Sequence, residues 1–286
     1  MLVHIKEIVK IAQRKKIAIG AFNTYNLEST LAIIRAVAAS KNPAIIQISE
    51  ATIDYAGLET IIEMIKTVDN RENKKVPLAI HLDHGKNFEI VARCLKAGLT
   101  SVHMDGSELP YEMNLALTKI AADLGKRYGA WVQGELGSLF GKEGLTKVKV
   151  PKNHNLYMTN PAQAAEFAKK TGINTLAVSV GTMHGNFSGR EKIDFGRLLK
   201  IRKSVKIPLV LHGGSGVKNQ EIKRAIKSGI RIINIDTDLR IAFTKTLAKT
   251  LKKKITFYDP RKILFPAIAA VQKTVEEKIN LFRNKA

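Results

Sequence analysis

Three histidines, His84, His184 and His212, each stand directly before a glycine and shortly after a run of apolar residues. Neutral imidazole nitrogens are common ligands of Zn²⁺, and three protein ligands leave a coordination position open for a substrate oxygen. Asp83 precedes the first of these histidines, where a carboxylate could take or return a proton. One such residue alone is usually an ordinary loop residue, but the recurrence predicts that the three histidines form one catalytic metal site.

The apolar runs before these histidines belong to a regular alternation of strand and helix patterns. The predicted strands are residues 17–22, 43–48, 76–82, 100–104, 130–134, 175–180, 208–211 and 230–235. A helical spacing of apolar residues follows each strand, and no linker interrupts the series. This order predicts the α/β class and one domain over residues 1–286, a (β/α)8 TIM barrel. A helix over residues 5–14 would cap the barrel at its N-terminal end, and an extra helix over about 266–282 would follow the last unit.

A parallel barrel collects the carboxyl ends of its strands on one face, so polar residues at different strand ends converge there. In this sequence those residues are Asn23, Ser49, Asp83, His84, Asp105, Glu135, His184, His212, Asn234 and Asp236. The turn over 213–216 precedes a helix, and residues 234–237 follow the next strand, which is typical of the phosphate site that barrels form there. We therefore expect a phosphate site beside the metal site. His81 and His103 lie within strand patterns and are predicted to be packed or locally hydrogen-bonded.

The composition fits a globular enzyme with an unusual charge. The 286 residues include 47 Lys or Arg and 25 Asp or Glu, which gives a formal net charge of +22. The lysines occur along most helices and no basic motif is interleaved with aromatic residues, so we expect attraction of a small anionic substrate rather than nucleic acid as the primary partner. No apolar run is long enough to span a membrane, the first residues lack a secretory signal, and the single Cys94 allows no internal disulfide. A cytoplasmic location is expected.

An ordered set of motifs resembles the zinc-dependent class II fructose-bisphosphate aldolases. The motifs are Leu82-Asp83-His84-Gly85, Asp105-Gly106-Ser107, Gly134-Glu135-Leu136-Gly137, residues 180–185, residues 211–216, Asn234-Ile235-Asp236-Thr237-Asp238 and Asp259-Pro260-Arg261. Their order and spacing match across nearly the whole chain. The resemblance implies reversible cleavage of fructose 1,6-bisphosphate into dihydroxyacetone phosphate and glyceraldehyde 3-phosphate, in glycolysis and gluconeogenesis.

The resemblance also implies a role for each site residue. His84, His184 and His212 would hold Zn²⁺, a Lewis acid that polarises the ketose carbonyl and stabilises the enediolate of dihydroxyacetone phosphate. Asp83 would exchange the C4 hydroxyl proton, and Glu143, in a long loop, the C3 proton of the triose. Asp105 and Glu135 would lie near the metal, at a second metal site or as carboxylates that orient its ligands. The implied substrate contacts are Asn23, Ser49, Gly185, Gly213, Gly214, Ser215, Asn234 and Thr237, with Na⁺ or K⁺ near the phosphate.

Substrate specificity within this family depends on fewer residues. Asp236 and Arg240 resemble the fructose-bisphosphate branch, whereas the tagatose-bisphosphate branch tends to have a small residue and a lysine there. Arg261 would bind the C6 phosphate, since its planar guanidinium can bond bidentately. Fructose bisphosphate is therefore the favoured substrate, and a tagatose-bisphosphate aldolase is the first alternative.

Two other classes of protein remain open on the sequence alone. A zinc hydrolase on the same barrel would use the histidines to activate water, but it gives no reason for the phosphate-binding turn. A basic nucleic-acid-binding protein with a catalytically silent barrel is the other. A Schiff-base aldolase is disfavoured, because the sixth strand leads to Gly181 and His184 rather than to a lysine. The terminal helix and the family resemblance predict a homodimer or homotetramer.

Overall fold

Eight parallel strands form the core of the protein, in a computed structural model that describes residues 1–139, 157–183, 185, 192–252 and 258–283. The strands β1 to β8 are Ile19–Asn23, Ala44–Ser49, Leu78–Gly85, Ser101–Met104, Trp131–Leu136, Thr175–Val178, Leu209–Leu211 and Ile230–Ile235. Each strand pairs with the next along the chain, and β8 pairs with β1 to close the barrel. The predicted TIM-barrel fold is therefore confirmed.

Helices form the layer outside the strands. Those of the described residues, α1 to α11, are Ile5–Lys15, Leu27–Ser40, Glu50–Ala56, Leu58–Glu72, Phe88–Lys96, Tyr111–Arg127, Pro161–Thr171, Phe195–Ser204, Asn219–Lys227, Thr237–Leu251 and Pro260–Arg283. Local side-chain bonds fix several helix starts. At α2, for example, Asn26 accepts the Ser29 N–H, and Ser29 Oγ in turn accepts the Asn26 N–H. No helix in this described part is long and apolar enough to cross a membrane.

The interior of the barrel is apolar at one end and polar at the other. Near the N-terminal ends of the strands it is filled by Ile19, Ala21, Ile45, Ala79, Ala177, Val210 and Ile232. The apolar stripe of α1 packs onto this cluster, as expected for a cap. A strand returns to the same face every second residue, so the next inward layer is polar. That layer includes Asn23, Gln47, His81, His103 and Gln133.

Most strand ends differ from the prediction by one to three residues, and three differences change the description of an element. The helix after β2 is interrupted at Gly57, whose φ of +81° ends α3 before α4 begins. The last helix begins at Pro260, where a proline costs no helical hydrogen bond, and Pro266 lies inside it. β3 continues past Leu82 to Gly85, so the first histidine motif is part of a strand rather than of the loop after it.

Candidate active site

Asp83 and His84 lie in a β-bulge of β3. Leu82 pairs with Val102 and Gly85 with Met104, so β3 has one more residue than β4 over this stretch. His84 takes up the difference with a φ of 49°, a left-handed conformation that non-glycine residues rarely adopt. Neighbouring side chains on a regular strand point to opposite faces. The bulge instead lets both Asp83 and His84 reach the residues at the barrel mouth.

His84 and His212 meet across the barrel mouth. His84 Nε2 lies 3.0 Å from His212 Nδ1, although the two residues are 128 positions apart. On the far side of its ring, His212 Nε2 lies 3.0 Å from the Gln133 amide nitrogen and 3.2 Å from that of Asn234. The Gln133 carboxamide can present either its NH₂ group or its oxygen, so Gln133 can hold the His212 ring in either tautomer, whereas the Asn234 NH₂ group also donates to Asp83.

The Asp83 carboxylate is held by two side-chain amides. Asn23 Nδ2 donates to Asp83 Oδ2 at 2.9 Å, and Asn234 Nδ2 donates to Oδ1 at 3.3 Å. Asp83 is 1% exposed, and its Oδ1 lies 3.8 Å from His84 Nε2. Ser49 is the residue opposite Asp83 in the β2–β3 ladder, and its Oγ caps α3. A buried carboxylate in a fixed orientation beside the histidine pair is suited to move a proton.

A second group of polar side chains lies on the other side of the His84 ring. His84 Nδ1 is 2.6 Å from Asp105 Oδ2, and Lys86 Nζ is 2.7 Å from the same oxygen. Glu135 Oε2 lies 3.8 Å from His84 Nδ1 and 3.5 Å from His103 Nε2. His103 Nδ1 accepts the His84 N–H, as a locally bonded histidine should. Its ring nevertheless belongs to a group of four residues, His84, His103, Asp105 and Glu135, with the spacing of a metal site.

The charges in this second group follow from burial and from one another. Burial acts to lower the pKa of His84, but the carboxylates of Asp83, Asp105 and Glu135 outweigh it and raise the pKa well above its usual value. Burial acts to raise the pKa of Asp105, yet the hydrogen bond and charge of His84 hold it well below its usual range. Burial, and then the charge of Asp105, raises the pKa of Glu135 well above normal. These shifts favour the charged forms of His84 and Asp105 and the protonated form of Glu135.

His81 lies two residues before Asp83 and is buried in the polar layer of the barrel. Its Nδ1 is 2.7 Å from Ser101 Oγ, which confirms the prediction of a locally bonded histidine. Burial, followed by the positive charge of His84, lowers the pKa of His81 to about 3.

We expect His81 to make the free energy of unfolding depend on pH. Its pKa is lower in the folded protein than in the unfolded chain, so the unfolded chain binds more protons once the pH falls below about 6.5. The contribution of His81 to the free energy of unfolding is therefore fully present above the pKa of the unfolded chain. It decreases by about 3 kcal/mol between about pH 7 and about pH 4. Denaturant titrations of the metal-free protein at both pH values measure this loss. Glutamine cannot titrate, so between the two pH values His81→Gln should lose about 3 kcal/mol less unfolding free energy than the wild type. An equal loss in both proteins would contradict the assignment.

The turn after β7 and the start of α10 line a small pocket. Its lining residues are Met183, Gly185, Gly213, Ser215, Asn234, Asp236 and Thr237. Gly213 has a φ of +65°, and a Cβ there would lie 2.4 Å from the Met183 carbonyl oxygen, so any side chain would displace the turn. Ser215 Oγ accepts the Asp238 N–H at 3.2 Å, which joins the turn to the first residues of α10. The partial positive charge at a helix start suits a phosphate group.

Asp236 and Arg240 form an ion pair at the edge of this pocket. Arg240 Nε lies 2.8 Å from Asp236 Oδ2. The Tyr25 hydroxyl donates to Asp236 Oδ1, and the Arg240 guanidinium carbon lies 4.1 Å from the centre of the Tyr25 ring. Burial raises the pKa of Asp236, with Arg240 acting in the opposite direction. Tyr25 thus contacts both of the residues that are predicted to determine substrate specificity.

One predicted site residue lies away from this assembly, and two others lie outside the described residues. Arg261, in the first turn of α11, bonds to Asp259 at 2.9 Å with its side chain 90% exposed, and no contact among the described residues joins it to the barrel mouth. His184 and Glu143 lie outside the described residues. Their roles stay predictions.

The sequence reasoning missed Tyr25, Gln133 and the place of His103. A signal for the last two was available: Gln133 lies two residues before Glu135, and His103 two residues before Asp105. Residues at that spacing share one face of a strand, so both had to point into the barrel below a predicted site residue. Tyr25 lies two residues beyond Asn23, past the end of β1, and no strand periodicity applies to it.

The sequence of this chain is similar to that of known aldolases over nearly its whole length. The family model for fructose-bisphosphate aldolase class-II matches residues 3–286. The fructose-bisphosphate aldolase of Geobacillus stearothermophilus is 39% identical over 282 residues, which cover 98% of this chain and 96% of that protein. The fructose-bisphosphate aldolase of Thermus caldophilus is 39% identical and the match covers 99% and 98% of the two chains.

Solved structures show the same similarity in three dimensions. The crystal structure of the YdjI aldolase from Escherichia coli K12 has a TM-score of 0.84 and 31% sequence identity, and the match covers 99% of this chain and 97% of that one. The fructose-bisphosphate aldolase of Campylobacter jejuni, with a TM-score of 0.78 and 23% identity, shares the fold.

Proposed function

Because this chain belongs to the class II fructose-bisphosphate aldolase family, we propose that it cleaves fructose 1,6-bisphosphate reversibly into dihydroxyacetone phosphate and glyceraldehyde 3-phosphate. The observation that carries the proposal is the position of Asn234. Its side chain lies within hydrogen-bond distance of Asp83 and of His212, and it lines the pocket at the start of α10. One residue thus joins a proton-transfer group, a candidate metal ligand and a candidate phosphate site.

The residues present fit a divalent metal such as Zn²⁺. His84 Nε2 and His212 Nδ1 face each other at 3.0 Å, close to the separation of about 3.3 Å between two nitrogens on one tetrahedral Zn²⁺. His84, His212 and Asp83 form a group with metal-ligand spacing. Asp105 bonds to the other nitrogen of His84, the usual support of a histidine ligand. Bound there, Zn²⁺ would act as a Lewis acid on the ketose carbonyl.

The chain's own residues would then bind the substrate and move its protons. Asp83, fixed by Asn23 and Asn234, would accept the C4 hydroxyl proton on cleavage and return it on condensation. Gly213, Ser215 and Thr237, which line the pocket, would hold the C1 phosphate at the positive end of α10, and Gly214 is a further proposed contact. Ser49, Gly185 and Arg261 are further proposed substrate contacts, His184 a further metal ligand, and Glu143 the acid or base at C3.

The phosphate pocket also bears on the alternatives. A zinc hydrolase would need the histidines but not a phosphate pocket that shares Asn234 with them, and the family match names aldolases. We further propose that the protein works in the cytoplasm as a homodimer or homotetramer, with Na⁺ or K⁺ near the phosphate. The exposed Arg261, which has no described contact with its own barrel mouth, is compatible with a role across a subunit interface.

Release of triose phosphate from two substrates tests the proposal. The zinc-loaded protein should cleave fructose 1,6-bisphosphate with a kcat/KM at least about tenfold above that for tagatose 1,6-bisphosphate. A few contacts that differ between the two bound sugars are enough to give such a ratio. Asp236→Ala should reduce this ratio, because it removes the partner of both Arg240 and Tyr25. Asp123→Ala, which breaks an exposed ion pair on α6, is the matched control and should leave the ratio unchanged. Equal rates on both sugars would refute the specificity, and no triose release from either would refute the aldolase activity.

A further inference from the structure

The positive charge of this protein is distributed unevenly along the chain. Residues 51–150 hold thirteen Lys or Arg and thirteen Asp or Glu, a formal charge of zero. Residues 195–231, which contain α8, β7 and α9, hold ten Lys or Arg and the single acidic residue Glu221. An even enrichment in lysine would raise the charge of both segments. Residues 195–231 therefore carry a formal charge of +9 out of the total of +22, in only 37 of the 286 residues.

The two helices of this sector present a continuous outer surface. The Arg224 guanidinium of α9 lies 3.9 Å from the centre of the Phe195 ring at the start of α8. At the other end, the Arg202 side chain of α8 packs against Gly229, so closely that a Cβ on that glycine would lie 2.5 Å from Arg202 Cδ. We name this surface the α8–α9 face. Its solvent-facing cations are Lys200, Lys203, Lys206, Lys218, Lys223, Arg224 and Lys227.

The cations of the α8–α9 face are largely not neutralised by neighbouring acids. Among residues 195–231, all of which the structure describes, Arg197 is the one cation that forms an ion pair with a described acid, and that acid is Asp194. Arg202 and Arg231 donate to backbone carbonyl oxygens instead. Burial, and then the charge of Arg202, lowers the pKa of Arg231. In the neutral sector, by contrast, Lys66 pairs with Glu63, and Lys119 and Lys126 pair with Asp123. A cationic surface without internal acids is complementary to a polyanion.

The side chains also indicate which polyanion. Phe195 is the single Phe, Tyr or Trp among residues 195–231, and it is buried, so the face offers no exposed ring on which an unpaired base could stack. Leu199 is its one large exposed apolar side chain, too little to insert into a lipid surface. Lysine and arginine spaced along two helices instead suit the regular phosphates of a duplex, which are bound without reading the bases.

We propose that the α8–α9 face binds the phosphate backbone of double-stranded nucleic acid, as a second binding surface separate from the barrel mouth. Binding is independent of sequence and is driven by counterion release. It therefore weakens steeply as salt increases.

The test is the binding of a 20-base-pair duplex, as DNA and as RNA, to the zinc-loaded protein, followed by fluorescence anisotropy at several salt concentrations. The triple variant Lys203→Glu, Lys206→Glu, Lys227→Glu should bind at least about tenfold more weakly at low salt. The slope of log K against log salt should fall in magnitude by about 2 to 3, as three phosphate contacts are lost. Cleavage of sugar bisphosphate should be unchanged, since none of these residues lies at the barrel mouth.

A second triple variant separates a local surface from total charge. Lys66→Glu, Lys119→Glu, Lys126→Glu changes the net charge by the same amount in the neutral sector, where these lysines are exposed. It should retain most of the duplex affinity. Equal weakening by both triple variants would overturn the proposal, as would the lack of duplex binding by the wild type at about 0.1 M salt. Binding to vesicles of anionic lipid in preference to the duplex would also overturn it.

Discussion

Asp83→Asn should lower kcat/KM for fructose 1,6-bisphosphate by about 10²- to 10⁴-fold, the usual contribution of a positioned general acid or base. The asparagine has nearly the same shape but cannot accept a proton at neutral pH. Its effect should fall on kcat rather than on KM, because the substrate phosphates are bound elsewhere. Initial rates of triose release at saturating and at low substrate measure the two constants.

Two controls keep this result specific to proton transfer. Asp83 Oδ1 lies 3.8 Å from His84 Nε2, so the zinc content of Asp83→Asn must be measured and should equal that of the wild type. The new amide would also present its NH₂ group to Asn23 or Asn234, both of which donate to Asp83, so thermal unfolding should be compared. A fully metallated, folded variant that keeps more than about a tenth of the activity would exclude Asp83 as the acid or base.

His212→Ala should abolish both stoichiometric zinc binding and measurable cleavage. It removes one of the two imidazoles that face each other at 3.0 Å and leaves the amides of Gln133 and Asn234 facing a cavity. Loss of one of three protein ligands leaves too few donors for a stable tetrahedral site. Metal analysis after dialysis against limiting zinc, together with the triose assay, measures both effects. His81→Gln, which changes another buried histidine of the same barrel, should keep its zinc.

The same assignment predicts how pH affects metal binding. In the metal-free protein the nearby carboxylates raise the pKa of His84 well above its usual value, despite burial. Metal and proton therefore compete for the same ring, so the apparent zinc affinity should fall as the pH falls and protons should be released on binding. A chelator should abolish activity reversibly. Activity that survives complete zinc removal and is lost on borohydride treatment would instead indicate a Schiff-base mechanism.

The fold and most strand-end residues could be predicted because the relevant signals are local. A strand of a parallel barrel is a short apolar run, and its last residues lie on one face of the molecule whatever the details of packing. Asn23, Asp83, His212 and Asn234 were placed together on that basis, and their side chains do meet. This convergence does not depend on the exact residue at which each strand ends.

The remaining features depend on tertiary contacts that a linear reading does not contain. The bulge at His84 reflects the one additional residue of β3 opposite β4, and no residue type in the sequence predicts it. Tyr25 reaches Asp236 across a separation of 211 residues, and a tyrosine beyond a strand end has many possible partners. The charge of the α8–α9 face differs from these features, because it can be read from the sequence alone. The net charge of the whole chain does not show it, whereas a count of charged residues by segment does.

The register shift in β3 determines how the Asp83-His84 pair could be grafted into another barrel. Copying the Asp-His dipeptide onto a regular strand of another barrel would aim the carboxylate at the lumen and the imidazole at the surrounding helices. The graft must carry the additional residue and the glycine after it, because a Cβ on Gly85 would lie 2.6 Å from the His103 carbonyl oxygen of the adjoining strand. Shortening this segment by one residue in the natural protein should likewise turn one of the two groups outwards, with the barrel itself left intact.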